Sequence, residues 1–176
     1  MKQNNLIGKI YVVLVLGVVF FLSSLHAGRF FGISFEAQRS EESAEKAFTV
    51  EEAQKLLAGA TTLEYLAEDE AVIRDSSGRR IGRLLHTQPV SKHITGYGSY
   101  LPIVIGIDAE DKITGLLLQK NDETPGFVKR LEKLGFFASW NGQPASEAVN
   151  LPVDAVSRAT MTSRATIESL RLRLAE

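Results

Sequence analysis

The sequence predicts an α+β domain, an antiparallel sheet of two hairpins packed with helices, preceded by one N-terminal transmembrane helix. Three observations lead there. Two stretches each carry paired β-prone runs around turn residues. Helical patterns with recognisable start and stop signals flank those stretches. The chain also opens on a long uncharged apolar run. Strands and helices alternate irregularly, which fits α+β better than a doubly wound sheet.

The opening run is "MKQNNLIGKIYVVLVLGVVFFLSSLHAGRF", with no charge over residues 10–25. Residues 6–25 hold a single charge, Lys9, which can snorkel to the headgroups. That length matches the roughly 20 residues needed to span a bilayer core. Residues 1–30 are therefore expected to be a membrane anchor or a signal sequence. The small residues of "SLHAG" suit cleavage, whereas Leu25 stands three positions before a cut after Ala27, where a small side chain is preferred. A buried helix is the third reading. Lys2 and Lys9 favour a cytoplasmic N-terminus. The chain is then a single-pass protein of the cytoplasmic membrane, with its soluble domain on the extracytoplasmic (periplasmic) side.

Residues 31–60 read as a juxtamembrane helical connector and residues 61–176 as the folded domain. Within the connector, "TVEEAQKLLAGA" is a compact helix: Thr49 and Glu52 have capping-box spacing, Gly59 is a natural stop, and Val50, Ala53, Leu56 and Leu57 share a face. The first hairpin turns at Ser76-Ser77-Gly78 and the second at Ala109-Glu110-Asp111. Between them "SKHITGYGSY" is a glycine-punctuated loop. Pro125-Gly126 ends the second hairpin and opens a short helix that stops near Gly135. An irregular connection follows, and the chain closes on a helix with Ile167, Leu170 and Leu174 in one stripe.

Composition narrows the chemistry. Twenty basic side chains face 21 acidic ones, for a net charge of −1, and no basic stripe marks a nucleic-acid binder. The chain has no cysteine, which excludes disulfides, thiolate zinc sites, cysteine-bound Fe–S clusters and c-type haem attachment on it. His86 and His93 are seven apart around Pro89, which is not a ligand spacing, and read as surface or hydrogen-bonded residues. No nucleophile elbow, P-loop or zincin motif occurs.

Two segments remain as candidate sites. "DETPG" (122–126) is either an ordinary turn or a strand end that brings backbone donors and a hydroxyl against a flat ligand. "SRATMTSRAT" (157–166) writes Ser-Arg-Ala-Thr twice. On a helix, residues six apart lie about 240° apart, so the copies cannot share a face. The first copy has Asp154 upstream, and its Thr160 falls where the last helix begins. The second has Thr160 at the equivalent upstream place and no acid. A helix start offers unpaired N–H groups suited to a phosphate, with Arg158 or Arg164 available for a charge-assisted contact. Equally, Thr160 or Thr162 can be a simple cap for those amides.

Together, "GYGSYLPIVIGIDAEDKITGLLLQKNDETPG", the helix and aromatic stretch after it, and "DAVSRATMTS" resemble the FMN-binding domain of RnfG, NqrC and NosR proteins, over about residues 70 to 170. That family's motif is roughly D-x-x-[ST]-G-A-T, with FMN joined through its phosphate to the last threonine. The resemblance implies FMN as cofactor, with Asp154, Ser157, Ala159 and Thr160 matching the motif and Thr160 as the attachment residue, beside Thr162. It also implies that Glu123, Thr124 and Gly126 lie against the isoalloxazine and that Tyr97, between Gly96 and Gly98, closes the pocket. Arg158 stands where the family usually has glycine, and a positive φ there would strain it. The implied partners are an ApbE-type flavin transferase, which takes FMN from FAD with Mg²⁺, and membrane electron-transfer proteins of Fe–S or quinone-linked type. The implied function is an electron relay rather than a stand-alone enzyme. A membrane-anchored binding or sensory module holding flavin or another ligand noncovalently is the alternative.

Overall fold

The computed structural model describes residues 47–176 except Pro89. The expected anchor at residues 1–30, and the connector up to residue 46, lie outside the described residues. Among the described residues no helix is long and apolar enough to cross a membrane.

One antiparallel sheet organises the domain. Its strands are β1 (Thr62–Ala67), β2 (Glu70–Arg74), β3 (Arg80–His86), β4 (Ile103–Asp108) and β5 (Ile113–Leu118), in spatial order β1-β2-β3-β4-β5. The two expected hairpins are β2–β3 and β4–β5. Asp75 Oδ1 accepts from the N–H groups of Ser77 and Arg79 in the first turn, and Asp108 Oδ1 from those of Glu110 and Lys112 in the second. The sheet has one strand more than two hairpins supply. β1 pairs with β2 from Thr62↔Arg74 to Ala67↔Glu70, and its exposure alternates from Thr62 to Tyr65, with Leu63 and Tyr65 packed toward the cluster under the sheet.

Helix α1 (Val50–Leu56) has the predicted capping box: Thr49 Oγ1 accepts from Glu52 N, and Glu52 Oε2 from Thr49 N. The helix belongs to the domain rather than to a connector. It packs with Phe48, Leu57, Ala71, Ile73, Leu84 and Val104 on one face of the sheet. Close approach is possible because Gly106 and Gly115 are paired directly across β4 and β5. A Cβ on Gly106 would meet Leu56 Cβ at 2.8 Å, and one on Gly115 would meet Leu56 Cδ2 at 3.1 Å. The folded domain therefore begins before residue 61, since the sheet would otherwise expose this glycine-floored face.

The other face carries Ile103, Ile105 and Ile107 of β4, the alternate residues of a strand buried on both sides. Against them pack α2 (Pro125–Lys133), a 3₁₀ turn (Phe136–Trp140), the four-residue α3 (Ala145–Ala148) and α4 (Thr160–Leu174). Gly135, at φ +66°, separates α2 from the 3₁₀ turn. At the far end of α4 the buried Arg173 donates through Nε to His86 O at 2.9 Å and pairs with Asp69 and Glu176 at 2.9 and 2.7 Å. Leaving such a guanidinium without a partner typically costs about 3–5 kcal/mol, so this contact locks the closing helix to the ends of β2 and β3.

His86 is buried and hydrogen-bonded, and His93 is exposed. His86 Nδ1 accepts from Gln88 N at 2.9 Å, which assigns the proton of the neutral ring to Nε2, 2.8 Å from Gln119 Oε1. Gln119 Nε2 passes the link on to Ala47 O and Glu52 Oε1. Burial holds the His86 pKa below its ordinary 6.5, with the bonds to Gln119 and Gln88 opposing. The folded state therefore takes up this proton less readily than the unfolded chain. The stability is intact above pH 6.5 and is lost as pH falls through the folded pKa. The melting temperature should drop between pH 7 and pH 5.5, and His86→Gln should flatten that decline; an equal slope in the variant would contradict this account.

Candidate functional site

The two candidate segments form two clusters, linked through α2 by a bond from Arg130 to Ser157. In the first, Glu123 is buried at the end of the β5 connection and its Oε1 accepts from Gly98 N at 2.9 Å and Thr124 N at 2.7 Å. This single carboxylate ties "GYG" to "DETPG". Its Oε2 has no partner among the described residues and lies against Gly96, where a Cβ would come within 1.9 Å of it. Tyr97 stands 65% exposed and meets Phe127 of α2 edge-on, with ring centroids 5.2 Å apart. Thr124 precedes α2 without a side-chain cap bond, and Gly126 has open space where its side chain would be.

The second part is the turn before α4. Ala159 N donates to Val156 O at 3.0 Å, closing a four-residue turn with Ser157 and Arg158 at its centre. Arg158 adopts φ +65°. A third turn position with positive φ normally calls for glycine, and a Cβ-bearing residue there costs roughly 1–2 kcal/mol. The arginine that departs from the family pattern thus takes the glycine conformation. Asp154, Ser157 and Arg158 are exposed, while Ala159 is buried.

Thr160 is exposed and is the first residue of α4; its hydroxyl donates to Val156 O at a long 3.4 Å. No side chain caps this helix, and among the described residues the backbone N–H groups of Thr160, Met161 and Thr162 find no acceptor. Such a start carries about half a positive charge. Thr162 is not a cap: it is buried inside the first turn, its hydroxyl without a partner among the described residues.

The second Ser-Arg-Ala-Thr has a different environment. Ser163, Ala165 and Thr166 are buried, and only Arg164 is exposed. Thr166 Oγ1 donates to Thr162 O at 3.0 Å. Ser163 Oγ accepts from Val156 N and bonds Ala159 O, both at 2.9 Å, so the second copy anchors the turn that presents the first.

One contributor escapes sequence reasoning. Arg130 of α2 donates through Nε to Ser157 O at 2.7 Å. It lies four residues after Gly126 on the same helical face, so this face of α2 runs from the Glu123 cluster to the motif turn. The spacing was legible; the target, 27 residues away, was not. No hydrogen bond joins Glu123, Thr124 or Tyr97 directly to Thr160 among the described residues. A cleft of about 340 Å³ adjoins the motif, lined by Leu134, Phe136, Ser139, Leu151, Pro152, Val153, Asp154 and Val156.

Two glycine substitutions test the first part. Gly96→Ala pushes a methyl into the pinned carboxylate and should cost about 1–3 kcal/mol. Gly126→Ala meets nothing within 4 Å and sits in a helix, so it should raise stability by roughly 0.5–1 kcal/mol. Urea titration of both variants checks the order, and a Gly96→Ala protein as stable as wild type would contradict the clamp.

The exposed Thr160 hydroxyl and the three N–H groups that find no acceptor among the described residues are chemistry that suits a phosphate, and the Tyr97–Phe127 pair offers an aromatic surface that suits a flat ring, so the residues present fit a flavin mononucleotide. The family model of the FMN-binding domain matches residues 96–174, from the glycine loop to the end of α4. No curated protein matches the chain. Residues 96–174 are a domain of the FMN-binding family, and FMN is the cofactor of this protein.

Proposed function

We propose that this protein is a membrane-anchored, extracytoplasmic electron carrier whose FMN is joined by a phosphoester to Thr160. The observation that carries the attachment residue is the contrast between the two repeats: Thr160 is exposed at an uncapped helix start, and Thr166 is buried in the helix behind it. A transferase can reach only the first. In the reaction Thr160 Oγ1 attacks the FMN phosphorus of FAD, the pyrophosphate P–O bond breaks and AMP leaves. The hydroxyl proton goes to a base of the transferase or to water. Exposed Asp154 is the acid a flavin transferase would recognise beside the turn.

Once loaded, FMN supplies one- and two-electron redox chemistry, and the protein's residues supply position and electrostatics. The N–H groups of Thr160, Met161 and Thr162, without an acceptor among the described residues, would offset phosphate charge. Thr124, Gly126 and Tyr97 would border the ring, with Glu123 holding that border together through its bonds to Gly98 N and Thr124 N. Covalent attachment retains the cofactor where no cytoplasmic pool replaces it. The electron partners are membrane redox proteins of Fe–S or quinone-linked type, and the apolar run in residues 1–30 supplies the anchor.

Intact mass after co-expression with an ApbE-type transferase tests the linkage. An FMN adduct is expected on wild type and Thr166→Ala and none on Thr160→Ala; an adduct lost with Thr166→Ala would assign the wrong copy. For the anchor, deleting residues 1–30 should shift the protein from the membrane pellet to the soluble fraction. A truncated protein still in the pellet would sink the anchor assignment.

A further inference from the structure

The turn before Thr160 combines two features that explain each other. Arg158 has φ +65°, and the carbonyl accepting Arg130 Nε at 2.7 Å is that of Ser157. In the turn Val156–Ala159 this carbonyl belongs to the central peptide, between the second and third positions. Flipping that peptide interconverts the two common turn types, and with them the sign of φ at the third position: negative in type I, positive in type II. An arginine at the third position favours the negative form by itself, whereas a glycine accepts the positive form freely. Something outside the turn must hold the flipped state. Arg130 grips the one carbonyl whose direction decides it, and does so with a charged donor, the stronger kind of hydrogen bond. The other turn bonds, Ala159 N to Val156 O and Val156 N to Ser163 Oγ, close the turn and anchor its first residue without acting on the central peptide.

We infer that Arg130 is a positioning residue for flavin attachment: it locks the central peptide of the motif turn, standing in for the glycine that Arg158 replaces. The inference rests on Thr160 as the attachment residue. With the lock in place Arg158 keeps positive φ and Thr160 stays at the helix start, exposed for the transfer that forms its Oγ1–P bond and releases AMP. Without it the peptide flips, the approach to Thr160 changes, and the transferase works on a minor conformer.

The test is the initial rate of adduct formation on purified full-length protein, read by intact mass with limiting transferase, FAD and Mg²⁺. Arg130→Ala should slow attachment about tenfold, the loss expected for one charge-assisted hydrogen bond. Adding Arg158→Gly should restore the rate to within about twofold of wild type, because glycine holds positive φ without help. Arg130→Met, which keeps the stem and has no donor, serves in the same pair should the alanine variant unfold, and backbone NMR couplings should report Arg158 leaving positive φ in it. An unslowed Arg130→Ala overturns the inference. So does a slow variant that Arg158→Gly fails to rescue, since that pattern assigns Arg130 to the phosphate instead. Loss of the Thr160 reading shows differently, as an adduct that survives Thr160→Ala.

Discussion

The presentation of Thr160 depends on one buried hydroxyl. Ser163 Oγ lies in the first turn of α4, accepts from Val156 N at 2.9 Å and shares its one proton between the carbonyls of Ala159 and Thr160, at 2.9 and 3.1 Å. It ties the residue that begins the motif turn to the helix that ends it. Because Ser163 sits in the core with Thr166 and Ala165 beside it, the anchor is as rigid as the packed face of α4. The exposed turn inherits that rigidity, and a three-residue excursion through Ser157, Arg158 and Ala159 delivers a threonine to the surface. The repeated tetrapeptide is thus one motif and its foundation.

The sheet supplies the rest of the frame. β4 is buried on both faces, with isoleucines toward the α4 side and Val104 and Gly106 toward α1. A strand so placed fixes where β5 ends, and the end of β5 fixes Glu123. There a single carboxylate substitutes for continuous secondary structure, joining a loop between β3 and β4 to the start of α2. From that start, α2 carries Gly126 and Arg130 on one face toward the motif turn. The candidate site is therefore built on helix termini and turns held by a scaffold, the usual division between rigid support and functional loop.

Much of the local structure was readable from residue order. The capping box of α1, both hairpin turns, the helix opened by Pro125 and the helix starting at Thr160 all follow from local chemistry. β1 carries its own signal in the alternation Thr62-Leu63-Glu64-Tyr65, which two hairpins leave unused, and pairing with β2 makes it the fifth strand. Helix α1 reads as a connector by sequence, because its docking depends on glycines more than 45 residues away in β4 and β5. That docking has no local signature.

By itself, the sequence determined the motif, its cofactor family and the asymmetry of the repeats, since Asp154 and the helix start belong to one copy alone. Such features are short-range, written in composition and spacing. Only the tertiary structure decided that Arg158 takes a glycine's conformation, that Arg130 holds the peptide beside it, and that Ser163 anchors the turn. Those outcomes are contests between a residue's intrinsic preference and bonds from distant elements. Local preference loses when a charged donor and a buried hydroxyl act on the same four residues.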